Sequence, residues 1–310
     1  MIQNIITQIN QSHKIGIISH DSPDGDAIGS SLALNQALLQ MGKDSKFIVN
    51  KNINESYASL VQSQHNLKSN EFFDLLFVLD CSGFDRIKNI SCHSLSNFII
   101  CIDHHTDNGK LMGDICWREP VQATGVLIYR LLKAIPNFEF SSYISTMLFL
   151  SIKTDTNNFT VFNPNFDIFK MASELIAYHA DMNIIQELDK RNLSYVNLIR
   201  KTLPNLIYRD RIAYLIIDKI DIERCNSNYT EASRLIELLE NIKEITVIYL
   251  IIKNGNKLSI KARSDEIDVC KIMRCYGGGG HKNAAGISKY YCKNIYKFIE
   301  ELILKTKSIL

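Results

Sequence analysis

Short apolar runs alternate with longer stretches of helical spacing along the first half of the chain. Residues 14–19 (KIGIIS) form a β-branched apolar run. A polar stretch rich in Asp, Gly and Pro follows, and residues 30–42 (SSLALNQALLQMG) then place their apolar positions on one helical face. Residues 46–49, 74–79 (DLLFVL) and 97–102 (NFIICI) predict three further strands, nearly continuous in apolar character as parallel strands buried on both faces are. Residues 124–132, 141–152 and 165–178 carry helical spacing, with TDTNNF breaking the pattern between the last two. The expected fold is α/β, a doubly wound and mainly parallel sheet.

The pattern changes in the second half. Residues 181–200 are polar and helical, Pro204 follows, and a new alternation begins. Residues 211–217, 245–252 and 257–263 predict strands and residues 231–239 and 294–304 predict helices, while YGGGGHKNAAG (residues 276–286) reads as a glycine loop. This predicts a first domain over residues 1–185, a helical linker over 186–208 and a smaller α/β domain over 209–310.

Composition narrows the function classes. The chain has 310 residues, 46% hydrophobic and 22% charged, which suits two globular domains. Its longest apolar run is far shorter than the roughly 18 residues a membrane-spanning helix needs. The first residues lack the charge cluster, apolar core and cleavage site of a signal peptide, which predicts a cytoplasmic protein. Thirty-five Lys and Arg against 33 Asp and Glu leave a formal charge of +2, too small for a protein that grips long duplex nucleic acid through many phosphates. Eight dispersed cysteines without a CxxC pair read as reduced core residues rather than a zinc ribbon or disulfide scaffold.

Polar residues gather just after the predicted strands, where ligands of open α/β sheets bind. HDSPDGDAIGS (residues 20–30) follows the first strand, Asp80 the third, and Asp103, His104 and His105 the fourth, while Asp155 ends an apolar helical stretch. Each piece has a plain structural explanation of its own: Asp26 can cap the helix that follows, and Asp and Gly after a strand are common turn residues. Their coincidence at one edge changes the picture. Asp24, Asp26, Asp80 and Asp155 with two imidazoles and no thiolate suit hard divalent ions, manganese or magnesium before zinc. Four carboxylates call for two ions, and paired metals are the recurring device for displacement at phosphorus.

The four segments resemble, in order, the motifs of the DHH phosphoesterases. GGGGHKNAAG with KLSIKARS resembles the glycine-rich hallmark of the DHH-associated C-terminal domain. Within that family the combination is most similar to the nano-RNases that also act as pAp phosphatases. The resemblance implies two divalent metals: His20, Asp24 and Asp80 on one, and Asp26, Asp80, His104 and Asp155 on the other, with Asp80 the bridge. It implies that His105 faces the substrate phosphate and protonates the leaving oxygen, with Asp103 orienting a histidine. On the second domain Arg263, Gly278, Gly279, Gly280 and His281 would bind substrate, with Lys282 adding charge, and the cleft would lie between the domains. The expected activity is hydrolysis of very short single-stranded RNA to mononucleotides, with phosphatase action on pAp. Linear or cyclic dinucleotide phosphodiesterase, single-strand-specific DNA exonuclease and a non-catalytic nucleotide-binding regulator are the alternatives, and a homodimer stays open. Two positions depart from the family pattern: Asn157 stands where TDTG is usual, and Val126 where Glu often stands, which bears on pocket shape and substrate preference.

Overall fold

Five parallel strands carry the first half of the chain: β1 (Lys14–Ile18), β2 (Asp44–Ile48), β3 (Leu75–Leu79), β4 (Ile99–Asp103) and β5 (Ile115–Arg118), in the order β2-β1-β3-β4-β5. The computed structural model describes residues 1–49, 53–62, 71–87, 90–105, 113–160, 165–280 and 282–310. From β1 the chain first winds to β2 on one side and then to β3 on the other, so the switch point lies between β1 and β3. Crossovers leave the carboxyl ends of both strands open there.

Both faces of this sheet are buried. On one, Ile17, Phe77 and Ile100 pack against Ile28 and Leu32 of helix Gly25–Gln40, Leu127 of helix Thr124–Lys133 and Met147 of helix Ser142–Asp155. On the other, Ile18, Leu76, Val78 and Cys101 form a smaller cluster. Each such apolar side chain removed from water contributes about 1.5–3 kcal/mol. The cysteines carry no disulfide, and Cys81, Cys92, Cys101 and Cys270 are buried.

Two glycines set how closely the helices approach. A Cβ on Gly29 would lie 2.4 Å from the Met147 carbonyl oxygen, and one on Gly125 would lie 2.0 Å from Ser151 Oγ. Helix Gly25–Gln40 thus meets the backbone of helix Ser142–Asp155 directly, and helix Thr124–Lys133 packs its backbone against the Ser151 side chain, approaches that only glycine permits.

The second half builds a six-stranded mixed sheet: β6 (Ile207–Arg209), β7 (Ile212–Asp218), β8 (Val247–Asn254), β9 (Lys257–Arg263), β10 (Gly279–Gly280) and β11 (Ala284–Tyr291), ordered β10-β11-β9-β8-β7-β6. Only β7 and β8 run parallel. Tyr249, Ile251, Ile260 and Ala262 face one core with Met273 and Phe298; Leu215, Ile248 and Leu250 face another with Leu235 and Leu239. The chain divides into Met1–Lys190 and Arg191–Leu310. Residues 186–208 carry the end of helix Met182–Asp189 and helix Leu193–Thr202. Among the described residues no helix is long and apolar enough to cross a membrane.

The expected glycine loop is a hairpin. Gly279 pairs with Gly286 and Gly280 with Ala285, and β11 runs on to Tyr291. Alanine and glycine here give little apolar signal, because the strand's partners rather than its side chains hold it in the ladder.

Candidate functional site

Three strand ends deliver the polar residues read from the sequence. His20 and Asp24 follow β1, Asp80 follows β3, and Asp103 closes β4 with His104 and His105 beyond it. Asp26 lies in the first turn of helix Gly25–Gln40, and Asp155 is the last residue of helix Ser142–Asp155. Asp80 adopts a left-handed φ of 53°, a conformation more accessible to Asp than to most residues.

Asp24, not Asp26, caps the helix that follows β1: its Oδ1 accepts from the N–H groups of Asp26 and Ala27 at 3.1 Å each. The fully buried Asp26 turns inward. It accepts from the N–H groups of Thr124 (2.6 Å) and Gly125 (3.1 Å), at the N-terminus of helix Thr124–Lys133, and from Ser151 Oγ (2.5 Å). A helix N-terminus favours negative charge at that position.

Asp80 divides its oxygens. Oδ2 lies 3.8 Å from His20 Nε2, while Oδ1 lies 3.5 Å from His104 Nε2 and accepts from Thr124 Oγ1 at 2.9 Å. His104 Nε2 is 3.0 Å from Asp155 Oδ2 and 3.7 Å from Asp26 Oδ2, and its Nδ1 donates to the Val121 carbonyl at 3.1 Å. That bond fixes the tautomer and directs Nε2 at the carboxylates. Two separate sets result, His20, Asp24 and Asp80 on one side and Asp26, His104 and Asp155 on the other, with ligand atoms within 4.8 Å of one another in each. Asp80 joins a third group with His104 and His105.

A second chain of contacts runs behind the first. His105 Nδ1 donates to Asp103 Oδ1 at 2.7 Å, and Asp103 Oδ2 accepts from Arg118 Nε and Nη2 at 3.0 Å each. Arg118 also donates to the Ser82 carbonyl at 3.0 Å. Burial raises the Asp103 acid, but His105 and Arg118 outweigh it and hold the carboxyl below its ordinary range.

The electrostatics reflect how closely the acids are crowded. Burial first, then Asp155, pushes Asp26 up to about 7, and burial with Asp26 and Asp24 pushes Asp80 well above the carboxylate range. Burial lowers His104, but its hydrogen bond to Asp155 and the charges of Asp26 and Asp80 drive it up to about 11. Burial holds His20 low. Dehydration raises Asp24, but His20, the Ala27 amide and the two later histidines hold it down. Carboxylates forced together retain protons in place of cations, and divalent ions would displace those protons. Hard oxygens with neutral imidazole nitrogens, already converging, fit such ions.

On the second unit Arg263 stands at the end of β9, where its Nε lies 3.4 Å from Glu240 Oε2 and its Nη1 donates to the Ala262 carbonyl. It borders a cavity of about 220 Å³ with Glu240, Lys243 and Ser264. Gly278 has no room for a Cβ, which would meet the Gly286 carbonyl oxygen at 2.4 Å, whereas a Cβ on Gly279 would meet nothing within 4 Å. Gly280 adopts φ 133°. His281, read from the sequence as a substrate-binding residue, lies outside the described residues.

Sequence reading missed Thr124, Ser151 and Arg118. None is a metal-ligand type at a telling spacing; each works by hydrogen bonding to an acid 15 to 125 residues away. Asn157, which stands where relatives often have glycine, adopts φ 45° and keeps the left-handed turn after Asp155.

Family models match both halves of the chain. The DHH family N-terminal domain matches residues 14–152, and the DHHA1 domain matches residues 213–307. The chain is similar to the bifunctional oligoribonuclease and PAP phosphatase NrnA of Mycoplasma genitalium, at 24% identity over 98% of this chain and 97% of that one. Bacillus subtilis NrnA is 26% identical, with 94% of each chain covered. The crystal structure of an exopolyphosphatase-related protein from Bacteroides fragilis superposes with a TM-score of 0.90 at 24% identity, covering 99% of this chain and 96% of that one, and so shares the fold. Residues 14–152 thus carry a DHH family N-terminal domain and residues 213–307 a DHHA1 domain.

Proposed function

We propose that this chain hydrolyses very short RNA oligonucleotides to mononucleotides and removes the 3′-phosphate of pAp. The observation that carries the reading is Asp80, one carboxylate with an oxygen turned to each of two donor sets. Full-length similarity to proteins named oligoribonuclease and PAP phosphatase supports the substrate class.

Two divalent ions, manganese first, held by His20, Asp24 and Asp80 and by Asp26, Asp80, His104 and Asp155, would supply an activated water and charge stabilisation at phosphorus. The chain's own groups do the rest. Asp103 engages His105 Nδ1, so Nε2 is the atom left to give a proton to the leaving oxygen. Thr124 and Ser151 hold Asp80 and Asp26 in place. Arg263 and Gly278, Gly279 and Gly280 bind the nucleotide portion of the substrate, with a guanidinium suited to phosphate.

The test is a substrate panel with manganese and with EDTA: a ribodinucleotide, a ribopentanucleotide, pAp, a cyclic dinucleotide and pyrophosphate. Manganese-dependent release of mononucleotides from the oligonucleotides and of phosphate from pAp is expected. Hydrolysis of the cyclic dinucleotide or pyrophosphate alone, or of none, overturns the reading.

A further inference from the structure

On one face of the second sheet apolar packing covers β7 and β8 but not β11. Helices Tyr229–Arg234 and Ile236–Leu239 pack on Leu215, Ile217, Ile248 and Leu250 of β7 and β8, and the Tyr229 hydroxyl donates to Ser259 Oγ on β9. No residue of β10 or β11 belongs to that cluster. Along β9 the apolar Leu258, Ile260 and Ala262 face the opposite core, so Ser259, Lys261 and Arg263 point to this face. Lys261 lies opposite Leu250 on one side and Gly286 on the other; Arg263 lies opposite Ala284, and Gly286 opposite Gly279. The two cations thus border a floor of glycine and alanine, open above Gly279.

Lys261 is the unmatched charge here. It makes no hydrogen bond or ion pair with any described residue. The charged groups acting on it are Arg263, Arg234, Glu237 and Glu240. Both acids are engaged by arginines, Glu237 by Arg191 at 3.4 Å and Arg234 at 3.7 Å, and Glu240 by Arg263 at 3.4 Å. β8 and β11 bring only Leu250 and Gly286 beside it. Burial and Arg263 lower the ammonium to about 8. An anion on the open floor would restore its charge balance.

We propose that Lys261, with Arg263 beside it, binds the terminal phosphate of the substrate and makes the protein prefer 5′-phosphorylated short oligonucleotides over those ending in a hydroxyl. This rests on the oligonucleotide phosphoesterase reading. A terminal phosphate is dianionic above its second pKa near 6, and an ammonium meets it as a point charge.

The test is equilibrium binding of pApA and ApA to the full chain in EDTA, which excludes turnover. Wild type is expected to bind pApA about ten- to a hundredfold more tightly, the range of one charge-assisted contact. Lys261→Met should bring the two ligands within about twofold by weakening pApA alone, while Lys261→Arg should keep the preference. The wild-type preference should shrink as pH rises through about 8, where free Lys261 loses its proton. Lys261→Met should also unfold at the same temperature as wild type or higher, since it removes a charge without a partner. An unchanged preference in Lys261→Met, or equal weakening of both ligands, overturns the proposal. Failure of the broader reading is seen separately, as absence of manganese-dependent cleavage of either dinucleotide by wild type.

Discussion

The Thr124 N–H donates to Asp26 Oδ2 at 2.6 Å, joining the helix after β1 to the start of a helix nearly a hundred residues later. Asp26 therefore has a structural task as well as a place in the donor cluster. Asp26→Ala should remove the acceptor for two backbone N–H groups and a serine hydroxyl, costing about 2–4 kcal/mol by denaturant unfolding. Asp26→Asn should recover part of that stability and none of the metal binding. Equal stability of the two variants would show that the helix start does not depend on this residue.

Asp80→Ala should abolish turnover, by at least ~10³-fold, because both donor sets lose an oxygen. Metal analysis should show reduced occupancy. A near-normal rate with metal retained would exclude Asp80 as the bridge.

The adjacent histidines should separate. His104→Ala lowers metal content, since Nε2 faces Asp26, Asp80 and Asp155. His105→Ala keeps the metals and slows the reaction, and Asp103→Asn should do the same by releasing His105 Nδ1. Loss of metal in His105→Ala but not His104→Ala would reverse the assignment.

The metal-free protein should grow less stable as pH rises from 5 to 8. The folded values of Asp26 and His104, about 7 and about 11, lie above their ordinary 3.8 and 6.5. Stability from these protons is full below the unfolded values and is lost as pH climbs through the folded ones. Thermal unfolding in EDTA at pH 5, 7 and 8 should show that fall, and manganese should flatten it. A rising apo stability over this window would contradict the charge reading.

Asn157→Gly should be close to neutral, whereas Asn157→Val should cost at least about 1–2 kcal/mol, because only the first accepts φ 45° readily. Chemical denaturation reads the difference directly.

Buried parallel strands were legible because both their faces are apolar; β1, β3 and β4 are runs such as LLFVL and IICID with every residue at least partly withdrawn from water. Strand β5 (ICWR) escaped notice because only Trp117 is fully buried and Arg118 turns to Asp103. Strand β11 was hidden by small residues. At the site, the acids and histidines stood out through their places after strands, while Thr124 and Ser151 are common helix-start or helix-interior types whose partners are fixed only by tertiary packing. The plain alternative of a capping role for Asp26 falls instead to Asp24, because two aspartates two residues apart offer the same local signal.

Asp155 arrives last, at the far end of helix Ser142–Asp155, and it makes the 3.0 Å approach to His104. During synthesis from the N-terminus, a nascent chain therefore carries Asp24, Asp26 and Asp80 long before the second donor set is complete. With the proposed ligands, ion capture would be tied to a nearly finished first domain, and a product truncated before residue 155 would keep the crowded acids but not the partner that closes the set.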